Sequence, residues 1–193
     1  MVKIWRPDLN YGWAEGGIVD NEQGSAFESV SLNTPTGQRV QGEFSNLKME
    51  ISTEPPNVHV DYFTCGTLLM VSDALKMVLE EFRVNAQYIS FGILVDGKPS
   101  DRAFFCCNIL DTVECLDFDR GEYTFWQKAG FSDRVDSIKK LAIDENKVVG
   151  YHLFRIAKGA EYIICLSDSL AKRIENGGFL GIMFIPPEEW SFC

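Results

Sequence analysis

The sequence predicts an α+β protein: a mixed or antiparallel sheet with a few helices, in which two similar units of strand, capped helix and strand recur. Three observations point there. Short apolar runs with strand-like alternation are spread along the whole chain, whereas 3.6-residue periodicity is confined to two stretches. Both helical stretches follow the same step, written Leu69-Met-Val-Ser-Asp-Ala-Leu75 and Ile164-Cys-Leu-Ser-Asp-Ser-Leu170. At 193 residues and 46% hydrophobic, the chain suits one domain able to bury a core without staples.

Residues 1–60 read as a β-rich N-terminal section. Gln38 to Phe44 and Leu47 to Ile51 place apolar residues at every second position, so both are expected to be strands. Glu54-Pro55-Pro56-Asn57 ends that section, because each proline lacks a donor and biases its predecessor away from helix. The remainder, 61–193, is the core of the same single domain.

In the first repeated unit Leu68–Val71 is a strand and Ser72 an N-cap. Leu75, Val78, Leu79 and Phe82 then follow at i, i+3, i+4 and i+7, before a second strand over Tyr88–Val95. In the second unit Tyr162–Leu166 precedes Ser167. Leu170, Ala171 and Ile174 form the apolar face of its helix, Gly177-Gly178 supplies the left-handed stop, and Phe179–Ile185 is the closing strand. Asp73 and Asp168 sit at the positive end of each helix dipole.

Between the units, Arg102–Leu110 reads as a buried strand. In Asp111–Glu122 apolar and acidic residues alternate, with Val113, Cys115, Leu116 and Phe118 available to a core and the acids to its rim. Tyr123–Trp126 and Tyr151–Ile156 are further strand candidates, and Ser137-Ile-Lys-Lys140 reads as a solvated helix face.

The net charge of −10 disfavours nucleic acid and anionic membranes and favours a basic partner. No apolar run reaches the ~20 residues of a membrane helix, and the N-terminus lacks the apolar segment of an export signal, so the expected location is cytoplasmic. In that compartment the six cysteines read as free thiols packed as small hydrophobes.

The patterns of phosphate-binding loops, dinucleotide turns, nucleophile elbows and zinc sites do not occur, so no catalytic residue, cofactor or metal ligand is assigned. The alternative is a small cysteine-dependent hydrolase or transferase, in which His59 or His152 approaches Cys65, Cys106 or Cys165 in the fold. Asp117 and Asp119, sharing a strand face, are expected to be solvated rather than metal-bound. Acids beside Tyr123, Phe125 and Trp126 suit a steered protein-binding surface better.

From residue 68 onward the chain resembles a known family. The stretches "LLMVSDALKMVLEEF", "FFCCNILDTVECLDFDRGEY", "HLFRI" and "IICLSDSLAKRIENGGFLGIMFIPPEEW" are similar to the bacterial immunity protein eleven family over about two thirds of the chain. Asn108, Cys115-Leu116-Asp117, Phe154-Arg155, Ser167, Leu170, Gly178, Gly181, Phe184 and Pro186 stand where the family's recurrent residues are expected. Gly121 departs from an expected serine, and the Cys106-Cys107 pair from bulkier residues. The resemblance implies a non-enzymatic protein that binds and neutralises a cognate toxin in the cytoplasm by covering its active site, in competition between bacteria. For that contact the sequence nominates Asp111, Glu114, Asp117, Asp119, Glu122 and Trp126, facing a basic toxin; it does not set the oligomeric state.

Overall fold

A computed structural model describes residues 1–8, 14–18, 29–30, 32–42, 44, 48–53, 60–95, 97–128, 130 and 132–191. The fold is α+β, as the apolar runs and two helical stretches predict. In chain order the strands are β1 (Val2–Pro7), β2 (Ala14–Ile18), β3 (Lys48–Thr53), β4 (Tyr62–Cys65), β5 (Leu68–Ser72), β6 (Ala86–Val95) and β7 (Lys98–Pro99). They continue with β8 (Phe104–Ile109), β9 (Thr112–Val113), β10 (Glu122–Phe125), β11 (Val135–Lys140), β12 (Leu153–Ile156), β13 (Ile164–Ser167) and β14 (Ile182–Ile185). Helix α1 is Asp73–Glu81 and α2 is Asp168–Gly177, while Ser29, Val30, Leu32 and Asn33 are also helical.

The strands form three sheets, ordered β2-β3-β6-β8-β5-β4 with β7 on β6, β14-β1-β13-β12-β9, and the pair β10-β11. Within the two larger sheets the same four-stranded unit occurs twice. In the first, β5 and β6 both run antiparallel to β8 between them, and β4 flanks β5. In the second, β13 and β14 both run antiparallel to β1, and β12 flanks β13. Each unit is therefore a strand–helix–strand crossover split by an inserted antiparallel strand.

The correspondence extends to single hydrogen bonds. The Ser72 N–H donates to the Asp61 carbonyl (2.8 Å) and the Ser167 N–H to the His152 carbonyl (3.0 Å). The Asp73 N–H reaches the carbonyl of Ala103, just before β8; the Asp168 N–H reaches that of Met1, just before β1, each at 3.1 Å. The serines cap as expected, accepting from the N–H groups of Leu75 (3.2 Å) and Leu170 (3.3 Å). Leu75, Val78 and Leu79 of α1 and Leu170, Ala171 and Ile174 of α2 all enter one buried cluster shared by both units. The helices thus supply the apolar layer that holds the two sheets together.

Several expectations are corrected. Gln38–Gln41 form no strand: the Val40 N–H and carbonyl are both taken by the Gln87 side-chain amide (2.9 and 2.8 Å), and Asn108 Nδ2 donates to the Gln38 carbonyl (2.7 Å). Side-chain amides there do what a neighbouring strand would do. Ser137-Ile-Lys-Lys140 lies in β11, not in a helix. Register shifts against β10 turn Val135 and Ile138, three apart, to the same buried side, which mimics helical spacing. In Asp111–Glu122 only Thr112, Val113 and the terminal Glu122, which opens β10, are strand, and Phe118 is 52% exposed rather than core.

Residues 48–53 do form a strand, parallel to β6. The proposed section end at Glu54–Asn57 lies outside the described residues. Cys65, Cys106, Cys107, Cys115 and Cys165 are buried thiols in no disulfide, as read from the sequence; Cys193 lies outside the described residues.

Candidate functional site

A broad, open charged surface is built by two short segments tied across a single bridge. Leu116 pairs with Ile143, the Asp117 N–H donates to the Ala142 carbonyl (3.0 Å), and the Asp144 N–H donates to the Cys115 carbonyl (2.8 Å). Cys115, Leu116, Ile143 and Val148 are buried beneath, so this surface rests on a firm floor. Above it opens a basin of about 710 Å³ lined by Asp117, Asp119, Asp144 and Glu145, with Arg120 and Lys147 as the cations.

Each acid has a local reason for its place. Asp117 Oδ1 accepts from the N–H groups of Asp119 (3.1 Å) and Arg120 (3.0 Å), and Oδ2 from Arg120 Nε (2.5 Å). The carboxylate is therefore a turn cap, and the Arg120 hydrogen bond holds its pKa below the ordinary aspartate value. Arg120 is anchored in turn by donating to the Ile143 carbonyl (2.7 Å). Asp144 starts a short 3₁₀ helix, Glu145–Val148, by accepting from the Asn146 N–H (3.1 Å). Glu145 meets the Met1 amino group at 3.4 Å.

The six nominated residues divide. Asp117 and Asp119 meet in the basin, on a turn rather than a shared strand face. Glu114 lies beside it, in a small depression lined also by Leu116, Phe118 and Lys147, and pairs with Lys158 at 3.1 Å. Glu122 pairs across the two-stranded sheet with Lys139 at 2.9 Å, and that bond lowers its pKa. Trp126 follows β10 and is 49% exposed, whereas Tyr123 and Phe125 turn inward and meet Phe118 at ring distances of 5.4 and 5.7 Å. Asp111 accepts from Asn85 Nδ2 at 2.7 Å, a bond to the residue just before β6 rather than to the basin. Asp144 and Glu145 escaped the sequence reading; the only signal was an acidic pair after an apolar run, and the bridge that brings it to Asp117 is non-local.

The cysteines offer no comparable site. Burial raises all five described thiols, Cys107 and Cys115 to about 12, which leaves them protonated and poorly nucleophilic at neutral pH. His152 shares a hydrogen bond with Ser167 Oγ (2.9 Å) and packs edge-on against Phe82. His59 lies outside the described residues. Among those residues no three His, Cys, Asp or Glu side chains converge to hold a metal ion, and no helix is long and apolar enough to cross a membrane.

Compared with known protein families, residues 13–189 match the model of the immunity protein family Imm11. The chain belongs to that family. The match spans nearly the whole chain, including the N-terminal section that the resemblance from Leu68 onward had left out. Among curated proteins nothing matches. Immunity is thus the function the family indicates, and the doubled split crossover is the scaffold on which this Imm11 member carries its acidic basin.

Proposed function

We infer that this Imm11 protein binds a cognate bacterial toxin in the cytoplasm and neutralises it by covering its active site, with no catalysis of its own. Membership of the immunity family carries the reading. The basin supports the location: four carboxylates face two cations, and the half-exposed Phe118 stands at its edge. Such a surface uses charge to speed encounter with a basic toxin and an aromatic anchor to slow its release. Asp117, Asp119, Asp144 and Glu145 form the centre of the contact. Glu114, Glu122 and Trp126 lie outward of it, and Asp111 is peripheral.

The test is co-expression with the toxin encoded beside the gene, followed by affinity measured across a salt series. The paired variant Asp119→Lys and Glu145→Lys leaves both turn caps intact. It should weaken binding at least tenfold, about 1.4 kcal/mol, and flatten the salt dependence. Rescue and affinity equal to the native protein would remove the basin from the contact.

A further inference from the structure

Arg155, the third residue of β12, is 2% exposed. Its Nη1 donates to the Glu161 carbonyl at 2.8 Å, but Nε and Nη2 are buried without an acceptor among the described residues. Those two atoms are the parallel N–H pair along one edge of the guanidinium, the fork that grips a carboxylate with two bonds. Glu161, a carboxylate acting on Arg155, directs its side chain to Arg134 Nη2 (3.1 Å) and the Gly159 N–H (3.1 Å). Tyr62, Cys106 and Cys107, which also surround Arg155, are kept protonated and uncharged by burial. A buried cation is thus left with an empty fork, a costly arrangement that an incoming anion would relieve.

Arg155 also lines a cavity of about 290 Å³ between β1, the β4–β5 hairpin and the segment leading into β13. Trp5 and Tyr62 form one wall, their rings edge to face at 5.2 Å, with Leu69 and Ile164 beside them. The Trp5 indole N–H approaches the Tyr62 hydroxyl too loosely to bond it and is a further buried donor without an acceptor among the described residues. The cavity shares no lining residue with the acidic basin.

We propose that this cavity binds a carboxylate on a small apolar body, the acid group seated on the Nε–Nη2 fork of Arg155 and the body against Trp5 and Tyr62. Arg6, the other cation on the lining, is partly exposed and already interacts with a neighbour, so the buried charge to be balanced is that of Arg155 alone, which selects a monoanion over phosphate. The aromatic wall selects an apolar body over a strongly hydrated one. Arg155 lines the cavity while its Nε and Nη2 are themselves buried, so a side-chain movement must accompany entry. The inference is independent of toxin binding.

The probes are acetate, benzoate, phenylacetate and N-acetylphenylalanine, each compared with its amide and with inorganic phosphate, by calorimetry and tryptophan fluorescence on the full chain. At least one acid should bind about tenfold more tightly than its amide and than phosphate. N-acetylphenylalanine ahead of phenylacetate assigns the carboxylate to a peptide end, and the reverse order to a free acid. Arg155→Lys, which keeps the charge but not the fork, should lose that preference. Thr64→Phe, which fills the cavity without altering Arg155 and suits a strand, should abolish binding even where Arg155→Lys fails to fold. The proposal is overturned if no acid binds by about 10 mM, if amide or phosphate matches the acid, or if Thr64→Phe binds like the native protein.

Discussion

Ser72 and Ser167 hold the same place in the two units, yet their hydroxyls answer to different neighbours. Ser72 Oγ donates to Asp61 Oδ1 (2.8 Å), and Asp61 also receives Arg102 Nη2 and, at 3.1 Å, the Leu180 N–H. Ser167 Oγ shares a bond with His152 Nδ1, and the imidazole lies on Phe82 at 5.0 Å. Leu180 follows α2 and Phe82 ends α1, so each cap partner reaches across to the segment behind the other unit's helix. The same backbone plan therefore carries a charged, many-armed tie in one direction and an aromatic contact in the other.

The units differ as well in how they stop their helices. Gly178 takes the left-handed turn after α2, with φ of 67°. After α1 that conformation falls on Arg83, φ 53°, where the Arg83 N–H bonds the Glu80 carbonyl and the Val84 N–H bonds that of Leu79. The hydrogen bonds are those of a Schellman stop, made here by a residue whose Cβ opposes it. They differ most in closure. The first unit is closed by β8, a near neighbour of β6 in the chain, and the second by β1, from the opposite end.

That last difference gives the largest expected effect. Removing residues 1–8 takes the central strand from the second unit while leaving the first complete; loss of cooperative thermal unfolding by circular dichroism is expected, and a native-like transition would show that β1 is dispensable. Next, Asp61→Ala strips partners from Ser72, Arg102 and Leu180 and should cost about 2–3 kcal/mol, against about 1 kcal/mol for His152→Ala, both read by urea denaturation. Equal losses would erase the asymmetry of the two ties.

Ser72→Ala and Ser167→Ala should each cost on the order of 1 kcal/mol, the former more because Ser72 is buried and serves Asp61 as well. At the small end, Arg83→Gly should stabilise the protein by about 0.5–1 kcal/mol, since glycine adopts the left-handed conformation without strain. A decrease in stability would mean that the Arg83 side chain contributes more than its backbone costs.

The repeated unit was legible because its marks are local. A serine hydroxyl three residues from the N–H it caps, an aspartate at a helix start and apolar residues at i, i+3 and i+4 depend on the chain within one helical turn. The same locality misled at Ser137–Lys140, part of a bulged strand read as a helix face, and at Val40, whose backbone bonds are completed by a side chain 47 residues away. Of the basin, Asp117 and Asp119 were read and Asp144 and Glu145 were not, because only the Leu116–Ile143 bridge makes them neighbours.

By itself the sequence determined the fold class, both helix caps, the buried, unbridged state of the described thiols, the acidic balance and the family likeness. These follow from composition and from interactions within a few residues. Only the tertiary structure decided which strand is inserted in each unit, where the acids converge, and that Arg155 is buried with two donors unanswered among the described residues. Such outcomes depend on pairing between distant segments, and the geometry of that pairing is written in no single stretch of the chain.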